Sequence, residues 1–336
     1  MKKILIIQTA FIGDVVLATG ILEKLHSFFP DAQIDFLLRK GNEGLLKDHP
    51  FLHNVWLWDK KKEKNRNLLR IIRQIRKEQY SHVINLQRFF SSGLITFFSG
   101  APYKAGFDKN PFSFCFTQKI NHLLSAPYSA SIIHETDRNH ALIANLTDDV
   151  KALPKLYPSA KDYAHTASLK TNPYICIAPS SVWFTKQFPP EKWSELINAL
   201  PENYTIYLLG APGDEAIAQD IITHSHHRKP VSLCGKLSFL ESAALMKDAV
   251  MNYTNDSAPL HFASAMNAPV TAVYCSTVPA FGFGPLSDRS KIVEIKESLS
   301  CRPCGLHGHK ACPMGHFKCA KKITNDQLIW WISKKI

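Results

Sequence analysis

Short apolar runs alternate with helical patterns along the first half of the chain, and the alternation starts again in the second half. The apolar runs of the first half are KILIIQ, QIDFLL, NVWLW and HVINLQ, with helical patterns near residues 15–29 and 67–78. Those of the second half are YICIAP, YTIYLLG, PVSLC, AVMNYTN and PVTAVYC, with helices that begin near Pro190, Gly213, Ser238 and Ala258. Strands that alternate with helices are typical of βαβ units, in which the strands pair in parallel. We therefore predict an α/β fold with two successive parallel sheets.

The chain of 336 residues exceeds the usual size of one domain, so two domains are expected. Between the two alternating halves lies a polar, proline-punctuated stretch without a clear period, residues 153–173. The predicted organisation is an N-terminal domain over residues 1–155, a linker over 156–172, a C-terminal domain over 173–322 and a C-terminal helix over 323–336. Two such domains would leave a cleft between them, and open α/β sheets bind ligands outside the carboxyl ends of their strands.

Basic residues exceed acidic ones, 40 Lys and Arg against 28 Asp and Glu, which gives a formal net charge of +12. This excess predicts an anionic partner, which is a nucleic acid, a lipid surface or a phosphorylated substrate. Residues 60–77 hold nine basic residues and one acidic residue, and they carry an apolar stripe at helical spacing formed by Leu68, Ile71, Ile72 and Ile75. Two interpretations remain open for this segment: the solvated face of a packed helix, or a surface that contacts an anionic membrane or glycolipid.

The N-terminal sequence MKKILIIQTAFIGD has a basic end and a short apolar run, so it must be distinguished from a signal peptide. The apolar run is only about six residues long and is followed by Gly-Asp rather than by a small-residue cleavage site. No apolar run in the chain reaches the roughly 20 residues that a membrane-spanning helix needs. We therefore interpret the N-terminal run as the first buried strand of a cytoplasmic protein.

Chemically active side chains occur where predicted strands turn into helices. Asp14, which follows Gly13, is either the N-cap of the first helix or a catalytic carboxylate at the mouth of a parallel sheet. Ser180, Ser181 and Lys186 supply hydroxyls, backbone N–H groups and a positive charge, which together suit a diphosphate, although serine-rich turns are common and this loop is equally interpreted as an ordinary turn. The chain contains neither G-x-G-x-x-G nor G-x-x-x-x-G-K-[ST], so a dinucleotide site or a P-loop is not supported.

Two further junctions carry carboxylates. Asp214 and Glu215 in LLGAPGDEAIA begin a helix, where they either stabilise the helix dipole or hold ribose hydroxyls. In TNDSAPLHFASA, Asp256 taken alone is interpreted equally well as a helix N-cap or as a functional carboxylate. With Ser257 beside it and His261 about one helical turn beyond, it suggests a phosphate or sugar site at a helix N-terminus.

These stretches resemble the heptosyltransferase family, glycosyltransferase family 9, of lipopolysaccharide core synthesis. The resemblance rests on AFIGDVVLATGILEKLHSFFPDAQIDFL, the loop from Ser180 to Lys186, and TNDSAPLHFASAMNAPV, and it spans nearly the whole chain in the right order. It implies a GT-B fold, in which two Rossmann-like domains face each other, the first holding the acceptor and the second the nucleotide sugar. It also implies an inverting transfer from ADP-heptose to a phosphorylated glycolipid at the inner face of the cytoplasmic membrane.

The resemblance further implies roles for individual residues. Asp14 matches the family's catalytic aspartate, the single base that takes the proton of the acceptor hydroxyl. Acceptor binding is implied for Gly13 and Arg88. The residues implied to bind the nucleotide sugar are Ser180, Ser181, Lys186, Asp214, Glu215, Leu237, Asp256, Ser257, Ala258 and His261. Ala258 stands where the family usually has glycine, and its methyl group could crowd a backbone donor that is aimed at phosphate.

No D-x-D occurs in the chain, although many sugar transferases use such a pair to hold a divalent ion. We therefore expect a reaction without metal or other cofactor, in which Lys186 and helix dipoles stabilise the leaving ADP. Four cysteines with interleaved histidines lie near the C-terminus: Cys301, Cys304, Cys312 and Cys319. They are interpreted either as a structural zinc site or as free thiols or a disulfide-capable loop, and a cytoplasmic location favours reduced thiols.

The sequence thus predicts a metal-independent heptosyltransferase that uses ADP-heptose and a glycolipid acceptor, contacts an anionic membrane peripherally and binds no nucleic acid. One alternative keeps the fold but uses another nucleotide sugar or acceptor. Another is a basic nucleic-acid-binding protein with a zinc module, which leaves Asp14 and Asp256 unexplained and predicts salt-sensitive binding to DNA or RNA. A dehydrogenase is the least supported, because the glycine fingerprint is missing.

Overall fold

Parallel pairing joins the strands into two six-stranded sheets in the computed structural model, which describes residues 1–227 and 229–329. The chain divides into two units, each of which holds one sheet. The first unit comprises Met1–Leu124 and Ile133–Tyr157, and the second comprises Ser125–Ile132 and the described residues from Pro158 onward. The prediction of an α/β fold with two parallel sheets is confirmed.

The first unit is a doubly wound sheet. Its strands are β1 (Lys3–Ile7), β2 (Gln33–Arg39), β3 (Asn54–Trp58), β4 (His82–Asn85), β5 (Tyr103–Phe107) and β6 (Gln118–Ile120). Its helices are α1 (Ile12–Phe28), α2 (Lys64–Lys77), α3 (Phe90–Phe98) and α4 (Glu135–Ala141). The strand order β3-β2-β1-β4-β5-β6 is that of dinucleotide-binding folds, in which ligands bind where the order reverses at the first strand.

Helices α1 and α2 show how the sequence pattern determines burial. The apolar stripe of α2, formed by Leu68, Ile71, Ile72 and Ile75, packs in one core cluster with residues of the sheet. The six basic residues of α2 are all exposed on its other side. Helix α1, in contrast, is apolar nearly all round and is buried from Val15 to Leu22, because it packs on the sheet and also contacts α4.

The second unit repeats this topology. Its strands are β7 (Tyr174–Ala178), β8 (Thr205–Leu208), β9 (Pro230–Ser232), β10 (Met251–Asn255), β11 (Val270–Tyr274) and β12 (Ser290–Glu294). Its helices are α5 (Ala160–Thr166), α6 (Pro190–Ala199), α7 (Glu215–Thr223), α8 (Phe239–Lys247), α9 (Ala258–Ala265), α10 (Lys318–Lys321) and α11 (Asp326–Ile329). The order β12-β11-β10-β7-β8-β9 is the order of the first sheet, with β7 in the place of β1.

Several elements differ from the sequence-based expectation. Strands β5, β6 and β12 and helices α3 and α4 were not predicted, and α5 forms inside the stretch interpreted as a linker. The C-terminal helix predicted over residues 323–336 lies partly outside the described residues, within which α11 is helical. Across residues 1–227 and 229–329, no helix is both long and apolar enough to cross a membrane.

Candidate functional site

Asp14 lies in the first turn of α1, at the carboxyl end of β1. The helix begins at Ile12, and its N-cap is Phe11, whose side chain makes no capping hydrogen bond. The interpretation of Asp14 as the N-cap is therefore wrong. Its carboxylate is half-buried two residues inside the helix, where the unpaired backbone N–H groups of the first turn favour negative charge. Gly13, beside it, is buried.

The loop that leads from β1 to Asp14 is held by residues that follow three other strands. Gln87, after β4, accepts a hydrogen bond from Thr9 Oγ1 at 2.7 Å. Lys60, after β3, donates to the Thr9 carbonyl at 2.7 Å, and Asn42, after β2, donates to the Ala10 carbonyl at 3.1 Å. Burial, followed by the charges of neighbouring basic side chains, lowers the pKa of Lys60 to about 8. This bracing was not predicted, because it joins residues far apart in the sequence.

Arg88 belongs to a basic group at the same edge of the first sheet. Burial, with the charges of Arg88, Arg138 and Lys109, lowers the pKa of His122 to about 4, so this imidazole is neutral at pH 7. Glu135 is buried against Arg138, with 2.7 Å between Oε2 and Nε, and burial raises its pKa while Arg138 opposes the shift. The surplus of positive charge around Arg88 suits an anionic group on a ligand.

Lys186 and Asp256, two residues singled out separately in the sequence, form an ion pair in the second unit. The distance between Lys186 Nζ and Asp256 Oδ2 is 2.7 Å, and their side chains are 16% and 9% exposed. Thr277 Oγ1 donates to the same carboxylate oxygen at 2.6 Å. The pair forms because β7 and β10, which the two residues follow, are neighbours in the sheet.

The serine loop after β7 is fixed by the end of β10. Asn255 Nδ2 donates to the carbonyl of Pro179 at 2.7 Å, and its Oδ1 accepts from the backbone N–H of Phe188 at 2.8 Å. The amide thus clamps both ends of the loop, while Ser180 and Ser181 stay half-buried within it. The structure therefore brings the two serines to the edge of the sheet that also carries Lys186.

The start of α9 offers an additional donor at this edge. Its N-cap is Ser257, so the interpretation of Asp256 as the N-cap is wrong. Ser257 makes no capping hydrogen bond, and its buried Oγ has no hydrogen-bond partner among the described residues. Ala258 is the first residue of the helix, and His261 is buried on it one turn further. A phosphate oxygen would satisfy such a hydroxyl.

The carboxylates after β8 are engaged by hydrogen bonds, Asp214 within its own turn and Glu215 with the end of β9. Asp214 Oδ2 accepts from the backbone N–H of Ala211 at 2.7 Å. Glu215 Oε2 accepts from Ser232 Oγ at 2.6 Å, and hydrogen bonds from Ser232 and then Gln219 lower its pKa. Leu237 is half-buried after β9. These residues follow parallel strands of the same sheet, and they therefore share the carboxyl edge with Lys186.

The cysteine-rich segment packs directly behind Lys186, which sequence reasoning did not anticipate. The backbone of His309 donates to Thr185 Oγ1 at 2.8 Å and accepts from the Thr185 N–H at 3.1 Å. Gly308 adopts φ +79°, and a Cβ there would lie 2.9 Å from Thr185 Oγ1 and 3.1 Å from Lys186 Cγ. The buried guanidinium of Arg302 donates to the carbonyls of Cys275 and Thr277. The segment thus supports the turn that carries Lys186.

The four cysteines of this segment are free, and three of them are only half-buried: Cys301, Cys304 and Cys312. Burial, with the neighbouring thiols adding to it, raises the pKa of Cys319 to about 11. In the part of the chain that the structure describes, no group of three or more His, Cys, Asp or Glu side chains is arranged to hold a metal ion.

Comparison with known proteins gives a consistent picture. A family model described as glycosyltransferase family 9 (heptosyltransferase) matches residues 68–316. Lipopolysaccharide heptosyltransferase 3 of Escherichia coli is 27% identical over 281 residues, which cover 80% of this chain and 82% of the relative. Lipopolysaccharide heptosyltransferase 1 of Campylobacter coli is 24% identical over 314 residues, which cover 89% of this chain and 91% of the relative.

Solved structures share the fold. A glycosyltransferase family 9 protein from Veillonella parvula superposes with a TM-score of 0.82 at 22% identity, over 99% of this chain and 96% of the other. The E. coli ADP-heptose lipopolysaccharide heptosyltransferase II superposes with a TM-score of 0.79 at 20% identity, over 99% and 98%. These likenesses confirm the predicted GT-B fold class.

Proposed function

The chain belongs to glycosyltransferase family 9, the heptosyltransferases, and from this premise we propose that it transfers heptose from ADP-heptose to a lipopolysaccharide inner-core acceptor, with inversion and without a metal ion. The observation that carries the proposal is the Lys186–Asp256 pair at the carboxyl edge of the second sheet, beside the serine loop and the start of α9. The E. coli heptosyltransferase WaaC, with a TM-score of 0.69, has been solved with ADP, which supports this choice of donor.

The proposed reaction needs one base. The Asp14 carboxylate takes the proton of the acceptor hydroxyl while that oxygen forms a bond to the anomeric carbon of the heptose. The bond from the anomeric carbon to the diphosphate breaks on the opposite face, and ADP leaves with the electron pair. The configuration at the anomeric carbon is inverted as a result. The first unit holds the acceptor in this proposal, with Gly13 beside Asp14 and Arg88 facing an anionic group.

The second unit holds the donor. When the donor binds, Lys186 gives up part of its interaction with Asp256 and binds the diphosphate. This exchange is expected because phosphate oxygens form charge-assisted hydrogen bonds with the ammonium group, as the carboxylate does. The hydroxyls of the serine loop and the unpartnered Oγ of Ser257 donate to phosphate oxygens. For the rest of the nucleotide sugar we propose contacts with Asp214 and Glu215 for the ribose, the backbone at Leu237 for the adenine, and the start of α9 near Ala258 and His261.

The proposal is tested by turnover with ADP-heptose and truncated lipopolysaccharide in excess EDTA, with release of ADP as the measured quantity. We expect the same rate with and without the chelator, because cationic side chains and helix N-termini stabilise the leaving diphosphate. A rate that falls with EDTA and returns with magnesium or manganese would contradict the metal-free mechanism. A higher kcat/KM for a UDP-sugar or GDP-sugar would contradict the donor.

The exposed basic face of α2 is proposed to draw the enzyme to the anionic cytoplasmic face of the membrane. Reversing Arg66, Arg70 and Arg73 to Glu should raise KM for the glycolipid and weaken vesicle binding at 0.1 M salt by at least about tenfold. Each basic residue near an anionic surface contributes about 1 kcal/mol, screened over a Debye length of about 10 Å. Kinetics and vesicle co-sedimentation at two salt concentrations measure both effects.

The matched control reverses three exposed lysines of the second unit, Lys161, Lys229 and Lys296, which changes the net charge equally. We expect this variant to retain vesicle binding, and both variants to bind ADP as the wild type does. Equal losses in the two variants would show that only net charge matters. Unaltered KM and sedimentation after the α2 reversal would leave this helix face as a solvated surface.

A further inference from the structure

The first unit exposes an unusual set of aromatic side chains on α3 and the turn after β5. Five phenylalanines are between 40% and 73% exposed: Phe89, Phe90, Phe97, Phe98 and Phe114. The inner face of α3 is buried, with Ile95 and Thr96 fully covered. The apolar character of its outer face is therefore not needed for packing on the sheet. A contiguous apolar patch of this kind marks an interaction site more often than scattered apolar residues do.

The rings form one patch through Phe112, which is half-buried. Its ring centroid lies 5.1 Å from that of Phe90, 5.8 Å from that of Phe97 and 5.9 Å from that of Phe114. The rings of Phe97 and Phe98 are 4.9 Å apart. We refer to these side chains, together with Phe89, as the phenylalanine patch. Five of its rings contact one another, and Phe89 directly precedes Phe90 in the chain, so the patch presents a continuous apolar surface.

Hydrogen bonds hold the two parts of the patch together. Asn110 Nδ2 donates to the carbonyls of Gln87 and Phe89, at 2.9 and 3.2 Å, and Asn110 Oδ1 accepts from the Phe112 N–H at 2.9 Å. A Cβ at Gly93 on α3 would lie 2.7 Å from the Phe112 ring, so helix and turn are in close contact. The patch is thus built into the fold.

Positive charge lies beside the patch, and this selects the partner. Helix α2 packs beside α3, and the guanidinium of Arg76 lies against Gly100, two residues after Phe98. Between residues 60 and 134 the chain has thirteen Lys or Arg and only three Asp or Glu. Exposed rings without polar atoms, bordered by basic side chains, are typical of surfaces that enter the interface of an anionic bilayer.

We propose that the phenylalanine patch inserts into an anionic lipid bilayer, with the basic face of α2 against the headgroups. This inference rests on the membrane contact included in the proposed function, and it adds an apolar contribution that salt does not screen. Inserted rings bury apolar area, and the charges of α2 supply attraction over a longer distance. The two contributions therefore differ in their response to ionic strength.

The test compares Phe90→Ser/Phe97→Ser/Phe114→Ser with the wild type on vesicles of phosphatidylglycerol and phosphatidylethanolamine. We expect the partition coefficient of the triple variant to fall by at least about tenfold, at 0.1 M and at 0.5 M salt, because the lost apolar burial does not depend on salt. The matched control is Phe28→Ser, which removes an exposed ring of α1 outside the patch and should bind as the wild type does.

Two further measurements separate this inference from the proposed function. Calorimetry with ADP should give equal affinities for wild type and triple variant; if the wild type does not bind ADP, the proposed donor fails while the vesicle result stands. Sedimentation velocity without lipid shows whether the patch joins two copies of the chain. Vesicle binding that is unchanged in the triple variant, or a wild-type dimer that the variant abolishes, would overturn the proposal.

Discussion

Replacing Asp14 by Asn is expected to lower kcat by a factor of about 10² to 10⁴, the usual cost of removing a general base. The substitution keeps the size of the side chain and removes only the group that takes the acceptor proton. It also removes a carboxylate from the first turn of α1, which costs about 0.3–1 kcal/mol of helix stability and leaves the fold intact. Steady-state kinetics and calorimetry with ADP measure the two effects, and affinity for ADP should not change.

Two variants make the result specific. Asp31→Asn changes an exposed carboxylate in the turn between α1 and β2, and it should keep wild-type turnover. Asp14→Glu keeps the charge but moves it by one methylene group, and it should recover part of the rate. If purified Asp14→Asn kept more than a tenth of the wild-type kcat, Asp14 would not be the base.

Replacing Lys186 by Ala is expected to weaken ADP binding by about 10- to 150-fold, since a hydrogen bond to a charged group contributes about 1.5–3 kcal/mol. The ion pair adds a second effect. Without Lys186, the buried carboxylate of Asp256 keeps its bond from Thr277 but loses its counter-charge. The free energy of unfolding should therefore fall as well, by up to about 3–5 kcal/mol.

The double variant Lys186→Ala/Asp256→Asn separates these effects. It removes the uncompensated charge, so stability should recover while ADP affinity stays low. Lys192→Ala is the matched control, because Lys192 forms its ion pair with Glu195 on the surface of α6, 2.8 Å apart. Thermal denaturation and calorimetry with ADP would follow all variants. An unchanged dissociation constant for Lys186→Ala would place the phosphates elsewhere.

The sequence was sufficient for features that depend on local pattern. Alternating apolar runs predicted β3 with its observed bounds, and the apolar stripe of α2 predicted which of its faces is buried. It failed where the pattern is short or mixed: β5 contains a lysine and a glycine, and α3 is apolar on both faces. The helical period of apolar residues was hidden in α3, because the phenylalanines on its outer face do not contribute to the core but are as apolar as the residues on its buried face.

The positions of the candidate site residues also followed from the sequence. Connections that follow parallel strands leave the sheet at the same edge, so the alternation of strands and helices was enough to assign Ser180, Lys186, Asp214 and Asp256 to one edge. The N-cap residues could not be predicted from the pattern, because a shift of one residue in the start of a helix changes which residue is the N-cap. Phe11 and Ser257, rather than Asp14 and Asp256, occupy the N-cap positions of α1 and α9.

The sequence by itself determined the class of fold, the family and the edge of each sheet where the motifs lie, since these depend on periodicity and on short motifs. Only the tertiary structure decided that Lys186 pairs with Asp256 and that the backbone at His309 supports the turn before Lys186. Both contacts join segments separated by many residues. They depend on strand order, which puts β10 beside β7, and strand order results from packing of the whole sheet and not from any local pattern.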